Sequence, residues 1–437
     1  MENKEEEKKE INSKNKIILN FFSITLLIYF IFGFYNNENS AGAGGYNGDF
    51  NSIWNNLLLL KEDIIGNLNN TSYNDSRTPL SYILHIVFNP FTYNQDVFRI
   101  SILVISFFIP ILLFFSLKLN YPLANNHIIL AFALIITLSP YFRTTAYWGL
   151  SENYGLISLI LSYLTFMKLK KNFSKYSDFK NILLVLTLCF ISSLTVYFDQ
   201  KLIFLPLFIF LALQLMGLNF KIKIFSFLFF AIFSIPYLYL IYIWGSFIPT
   251  SVAESRQVGS NINPLHPGYC ISIIGFYLLP FVLVRENFIK DYKKIFLTKK
   301  FLYYILSIIL YLFFLFNFSN FENQAIDGKG IFHKLISITI DSKILEFIVT
   351  VLIILLSSII VYIFFKENSD ILFFLYFLIL SIFTFPFYQE YLDPLILILI
   401  FTFSKTKIKL NIKNFYIIFV YFLIFSLSTK FYYSNII

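Results

Sequence analysis

Charge is scarce in this sequence, and so are the residues that build most catalytic and metal centres. Charged side chains make up 14% of the 437 residues and histidine occurs four times, where an ordinary soluble domain is about a quarter charged. That excludes a water-soluble globular fold. The histidines are scattered, and no His, Cys, Asp or Glu spacing reads as a metal site. Neither a cofactor nor a divalent metal is indicated. The two cysteines, Cys189 and Cys270, lie inside or at the edge of apolar runs, so no disulfide framework is expected. A glycine-rich phosphate loop, a Walker-type lysine, a nucleophile elbow and a redox cysteine pair are missing too. Internal repeats are not evident and acids inside apolar runs are nearly absent, which argues against an ion-coupled carrier.

What the chain has instead is apolar length. It is 57% hydrophobic and 21% aromatic, with a mean hydropathy of +0.71. The net charge of +9 does not point to nucleic acid, because the basic residues recur in short clusters between apolar runs. The expected fold is therefore all-α, a polytopic transmembrane bundle. Residues 1–16 read as a disordered cytoplasmic tail and 17–437 as one transmembrane domain. A span takes about 20 apolar residues. Thirteen are expected, at 17–35, 97–117, 127–142, 150–167, 182–198, 202–218, 224–247, 267–284, 301–318, 347–365, 371–387, 392–403 and 415–427. With the amino terminus inside, 24 of the 34 Lys and Arg fall on cytoplasmic segments. Alternate loops then face outward, including the long one at 36–96.

That loop carries two helix-like patterns. Phe50, Ile53, Trp54, Leu57 and Leu58 recur at helical spacing, as do Leu80, Ile83, Leu84, Val87 and Phe88. Amphipathic helices near 49–64 and 78–90, lying at the membrane surface, are expected. Thr78 reads as an N-cap with Pro79 at the first helical position, and Asn89-Pro90 as the stop. His85 reads as a surface histidine. Asp49 is either a reactive carboxylate or, more blandly, a solvated acid or helix N-cap.

Four short motifs accompany this plan: Gly48-Asp49, Thr78-Pro79-Leu80-Ser81-Tyr82, Leu138 to Arg143 with Ser151 to Tyr154, and Gln389 to Pro394. Together they resemble the integral-membrane C-type (GT-C) glycosyltransferase superfamily, which uses polyprenyl-phosphate-linked sugars. Many members show two acids, or an acid with a nearby His, where this chain has Asp49-Phe50. The resemblance implies inverting sugar transfer from a polyprenyl-phosphate donor to a lipid-linked glycan or other envelope acceptor. Asp49 would be the general base, Arg143, Arg256 and Arg77 the phosphate ligands, and Glu152, Glu390, Tyr391 and Trp54 the sugar or acceptor contacts. Arg143 and Arg256 could equally be interfacial anchors, and Lys201 beside Asp199 a simple ion pair. Membrane lipids, the lipid-linked donor and the acceptor are the implied partners. Compact loops and no retrieval signal favour a bacterial plasma membrane, with the site on its outer face. A polymerase or ligase of lipid-linked polysaccharide and a non-enzymatic lipid-glycan carrier or flippase are the alternatives.

Overall fold

The computed structural model describes residues 2–39, 46–69, 72–249, 252, 265–284, 298–318, 330–365, 368–383, 387–406 and 408–434. Among them every regular element is a helix, as the composition requires. The chain divides into two compact units, residues 1–256 with 422–437, and residues 257–421.

In the first unit, α1 (Glu2–Tyr35) is followed by a π-turn (Tyr46–Phe50), α2 (Asn51–Glu62), α3 (Leu80–Phe88), α4 (Gln95–Ser106) and α5 (Phe108–Asn120). Then come α6 (Asn126–Leu134), α7 (Pro140–Trp148), α8 (Glu152–Asn172), α9 (Asp178–Phe198), α10 (Phe204–Leu215) and α11 (Phe220–Trp244). The long helices run up and down. At one end the Trp148 indole donates to the Glu38 carbonyl at 3.0 Å, and Ser151 Oγ to the Phe198 carbonyl at 3.0 Å. At the other, His127 Nδ1 meets Asn20 Oδ1 at 2.7 Å and Tyr163 Oη donates to Asn120 Oδ1.

All thirteen apolar runs fall on helices, yet they are not all of membrane-spanning length. By length and composition seven described helices qualify: Asn15–Tyr35, Gln95–Asn120, Asp178–Phe198, Phe220–Trp244, His266–Leu283, Lys343–Phe364 and Ile412–Tyr433. The count becomes eight if Asn126–Leu138 and Pro140–Trp148, bent by 75°, form one span. The run expected at 127–142 breaks there because Ser139 is extended (ψ 122°) and its Oγ caps Phe142 N at 3.0 Å, with Pro140 starting the next helix. Leu395–Phe401 is buried throughout its seven residues. At 1.5 Å per residue it covers about 10 Å, a third of a hydrocarbon core of about 30 Å.

Gly33 lets α1 approach α7. A Cβ there would lie 2.7 Å from Tyr147 Oη and 2.9 Å from Glu38 Oε2, and it would strike the Arg143 guanidinium. Alanine normally gains about 1 kcal/mol over glycine inside a helix. Here Gly33→Ala is expected to lose roughly 1–3 kcal/mol instead, because overpacking must displace a buried ion pair. Denaturant unfolding of the purified variant measures this, and a stabilised variant would show that the Arg143 side chain gives way freely.

In the second unit α12 (His266–Leu283) is buried along most of its length and packs on α15 (Lys343–Phe364). A Cβ on Gly275 would come within 2.8 Å of Ser357 Cα, so the two backbones touch. Between α12 and α15 in the chain lie α13 (Lys299–Phe318) and α14 (Ile331–Thr339); α16 (Asn368–Phe383) and α17 (Leu395–Phe401) follow, and α18 (Ile412–Tyr433) belongs to the first unit from residue 422 on. Buried Asp370 accepts from Ser404 Oγ at 3.1 Å, Lys405 N at 3.1 Å and Thr406 Oγ1 at 3.0 Å, tying the chain after α17 to the start of α16.

Candidate functional site

The segment after α1 is held by an aromatic wedge. Phe50 is fully buried, its ring 6.5 Å from Trp54, 6.5 Å from Phe98 and 6.1 Å from Trp148. This anchors the π-turn and leaves the preceding Asp49 half-buried at the head of α2. Asp49 is not the N-cap of that helix; Phe50 occupies the position and makes no side-chain cap. The expected face of α2 packs inward through Ile53, Trp54 and Leu57, with Leu58 left 42% exposed. Trp54, expected to meet sugar or acceptor, is spent in that core against Phe98 at 5.5 Å.

Helix α3 is turned over. Ser81, Tyr82 and His85 face inward, while Val87 and Phe88 are 58% and 76% exposed. A polar interior and an apolar exterior suit a helix whose outer face meets lipid. The expected Thr78 cap is not made: Pro79 holds the cap position, and Thr78 Oγ1 donates instead to the Tyr197 carbonyl on α9. The helix stops at Asn89, as expected.

His85 is correspondingly buried and not at the surface. Its Nδ1 accepts from Asn89 Nδ2 at 3.0 Å, which leaves Nε2–H to meet Tyr154 Oη at 2.7 Å: a neutral imidazole. Burial pushes its pKa down to about 4. Between about pH 6.5 and 4 the unfolded chain takes up a proton that the folded chain refuses, so stability falls as pH falls through that window. The cost is expected to reach about 3 kcal/mol at its lower edge. Unfolding curves of wild type and His85→Asn should converge in that direction, and parallel pH profiles would refute it.

Inside α3 lies an ionic cluster drawn from four segments. Arg77 pairs with Glu152, the first residue of α8, and with Asp75 Oδ1 at 3.2 Å. Tyr141 on α7 donates to the same Glu152 oxygen, Oε1, at 2.7 Å, and Tyr82 donates to Asp75 Oδ2 at 2.5 Å. Lys201 and Asp199, just beyond α9, pair at 3.4 Å as the sequence suggested. Burial alone would lower the Arg77 pKa, but Glu152 and then Asp75 outweigh it and hold the guanidinium well above its ordinary value. Burial and then the Asp75 charge raise the Tyr82 hydroxyl well above 10, so it stays a donor. Arg77, expected to hold phosphate, is therefore committed to two carboxylates, with 24% of its side chain exposed.

A second group forms where α1 ends. Arg143 was expected at an exposed span end, but it is wholly buried. Its Nε and Nη2 grip the Glu38 carboxylate at 2.7 Å each, and its guanidinium lies 4.1 Å from the Tyr29 ring. Fork-to-fork pairing of this kind is the strong form of the contact. Lys430 near the end of α18 approaches Glu38 Oε2 at 3.6 Å with 32% of its side chain exposed. Nearby, Arg99 stacks on Trp148 at 3.9 Å.

Of the expected site residues, the first unit thus gathers Asp49, Arg77, Arg143, Glu152 and Trp54 towards one end. Glu390 and Tyr391, both half-buried, belong to the second unit. Arg256 lies outside the described residues. Sequence reasoning missed Glu38, Asp75, Arg99 and Lys430. For Glu38, Arg99 and Lys430 the signal was position, an ionisable residue at or beside a span end where charge is costly; Asp75, in mid-loop, carried no such signal. Among the described residues no group of three or more His, Cys, Asp or Glu could hold a metal ion. No family model matches this chain, and comparison with curated proteins and with solved structures likewise finds no match.

Proposed function

We propose that the protein is a membrane glycosyltransferase of the C type, transferring a sugar from a polyprenyl phosphate to a lipid-linked glycan or other envelope acceptor at the outer face of a bacterial plasma membrane. The observation that carries this reading is the convergence at one end of the first unit. Glu38 pairs with Arg143 and Lys430, Arg77 pairs with Asp75 and Glu152, Asp199 pairs with Lys201, and Asp49 stands in the turn that follows α1. Charge gathered at span ends is expensive and is retained where it works.

In this reading Asp49 takes the proton of the acceptor hydroxyl. The acceptor oxygen bonds to the anomeric carbon as the bond from that carbon to the phosphate oxygen breaks, and the polyprenyl phosphate leaves with the electron pair. A single displacement inverts the anomeric centre. Lys430 is the member of the Glu38 group that a phosphate can reach, while Arg143 and Arg77 act as braces that fix the surrounding carboxylates. Glu152 is the acceptor-side candidate of this unit.

The test is transfer of labelled sugar from a panel of polyprenyl-phosphate sugars to extracted lipid acceptors, in membranes holding wild type or Asp49→Asn. Product from wild type alone supports the reading and names the donor. No product from any donor, with the protein folded and inserted, overturns it in favour of a carrier.

A further inference from the structure

Among the described residues, the cluster beneath α3 has an unbalanced charge. Three carboxylates, Asp75, Glu152 and Asp199, face two cations, Arg77 and Lys201. Asp75, Glu152 and Asp199 are all buried, at 6%, 2% and 7% exposed. An uncompensated negative charge in such a place is costly. A second observation lies within the cluster: both donors to Glu152, Arg77 and Tyr141, use Oε1, and the buried Oε2 has no hydrogen-bond partner. Buried acceptors of this kind are normally satisfied.

We propose that this cluster is a proton-binding site in which Asp199 and Glu152 share one proton, held on Asp199, so that the folded cluster is neutral. A proton supplies the missing positive charge without needing room, and the groups present do not form a metal-binding set among the described residues. Asp199 is placed for the task. It packs against the first turn of α8: a Cβ on Gly155, one turn beyond Glu152, would lie 3.5 Å from Asp199 Cβ, and Ser151 Oγ donates to the neighbouring Phe198 carbonyl at 3.0 Å. The ionisable groups that face it are Glu152 on α8, Arg77 from the segment before α3 and Lys201 in its own turn; Tyr141 on α7 acts through Glu152. Tyr82 donates to Asp75 and Tyr141 to Glu152 Oε1, so neither hydroxyl serves Oε2.

The electrostatics agree with this placement. Burial, and then repulsion from Glu152, raise Asp199 above the ordinary carboxyl range despite the opposing pull of Lys201 and Arg77. Ionisation of Asp199 would add a negative charge beside Arg77, so proton occupancy sets how firmly the segment before α3 is held to α8. The site does not depend on the transferase reading.

Infrared spectroscopy of the full-length protein in lipid nanodiscs, titrated from about pH 5 to 9, tests it through the carbonyl stretch of a protonated carboxyl. Wild type should keep that band at a pH where an ordinary Asp is already ionised. Asp199→Asn, which mimics the protonated shape, should lose the band and keep the wild-type melting temperature at that pH. Glu152→Gln removes the repelling charge, so the band should titrate at lower pH than in wild type. No band in wild type above the ordinary carboxyl range overturns the proposal, as does a band that survives Asp199→Asn.

Discussion

Methionine in place of Arg143 is expected to destabilise the folded protein by about 3–5 kcal/mol, the usual consequence of stranding one partner of a buried ion pair. Glu38, with 1% of its own side chain exposed, would lose both 2.7 Å contacts and face Lys430 at 3.6 Å. The guanidinium also donates to the Thr137 carbonyl at 3.2 Å and stacks on Tyr29, so three segments lose a common tie. The double variant Arg143→Met with Glu38→Gln separates the pair from the packing. Removing both charges should recover a good part of the loss, since buried pairs often contribute little net stability over a neutral replacement. Denaturant titration in detergent measures both variants. A single-variant loss below about 1 kcal/mol, the scale of an exposed pair, would mean that water reaches Glu38.

Asparagine in place of Asp49 is expected to lower sugar transfer by about 10²–10⁴-fold, the usual contribution of a general base. The change preserves shape and removes the proton acceptor. Because the Phe50 ring packs against Trp54, Phe98 and Trp148, the turn should keep its place and the protein should still fold. Melting temperature and membrane yield serve as the control. Glu152→Gln is the comparison: it loosens Arg77 and Tyr141 together, so it should reduce both stability and transfer. If Asp49→Asn transfers at the wild-type rate while Glu152→Gln does not, the base is misassigned and belongs to the cluster on α8.

Much of the helical layout was legible along the chain. The apolar runs coincide with helices and the stop at Asn89-Pro90 read true, whereas the break at Ser139-Pro140 falls inside a run expected to be continuous. These features rest on composition and local backbone preference, which neighbouring residues carry. Span number was less legible, because a short apolar run serves equally as a buried core helix; Leu395–Phe401 is one.

The candidate site divides the same way. Asp49 and the helix behind it were visible as a polar residue before a periodic face. Its surroundings were not. Arg143 reads as a lone outward cation until the fold brings Glu38 against it from 105 residues away. Arg77 reads as a phosphate ligand until it meets Glu152, 75 residues on. His85 and the inward face of α3 depend on Tyr154 and α4, which a local window does not contain. Sequence by itself determined that this chain is helical, apolar and punctuated by charge at helix ends, because hydrophobic partition and backbone propensity act residue by residue. Only the tertiary structure decided which charges meet, which are neutralised and which oxygen is left without a donor, because burial and pairing belong to distances between segments that the chain itself keeps far apart.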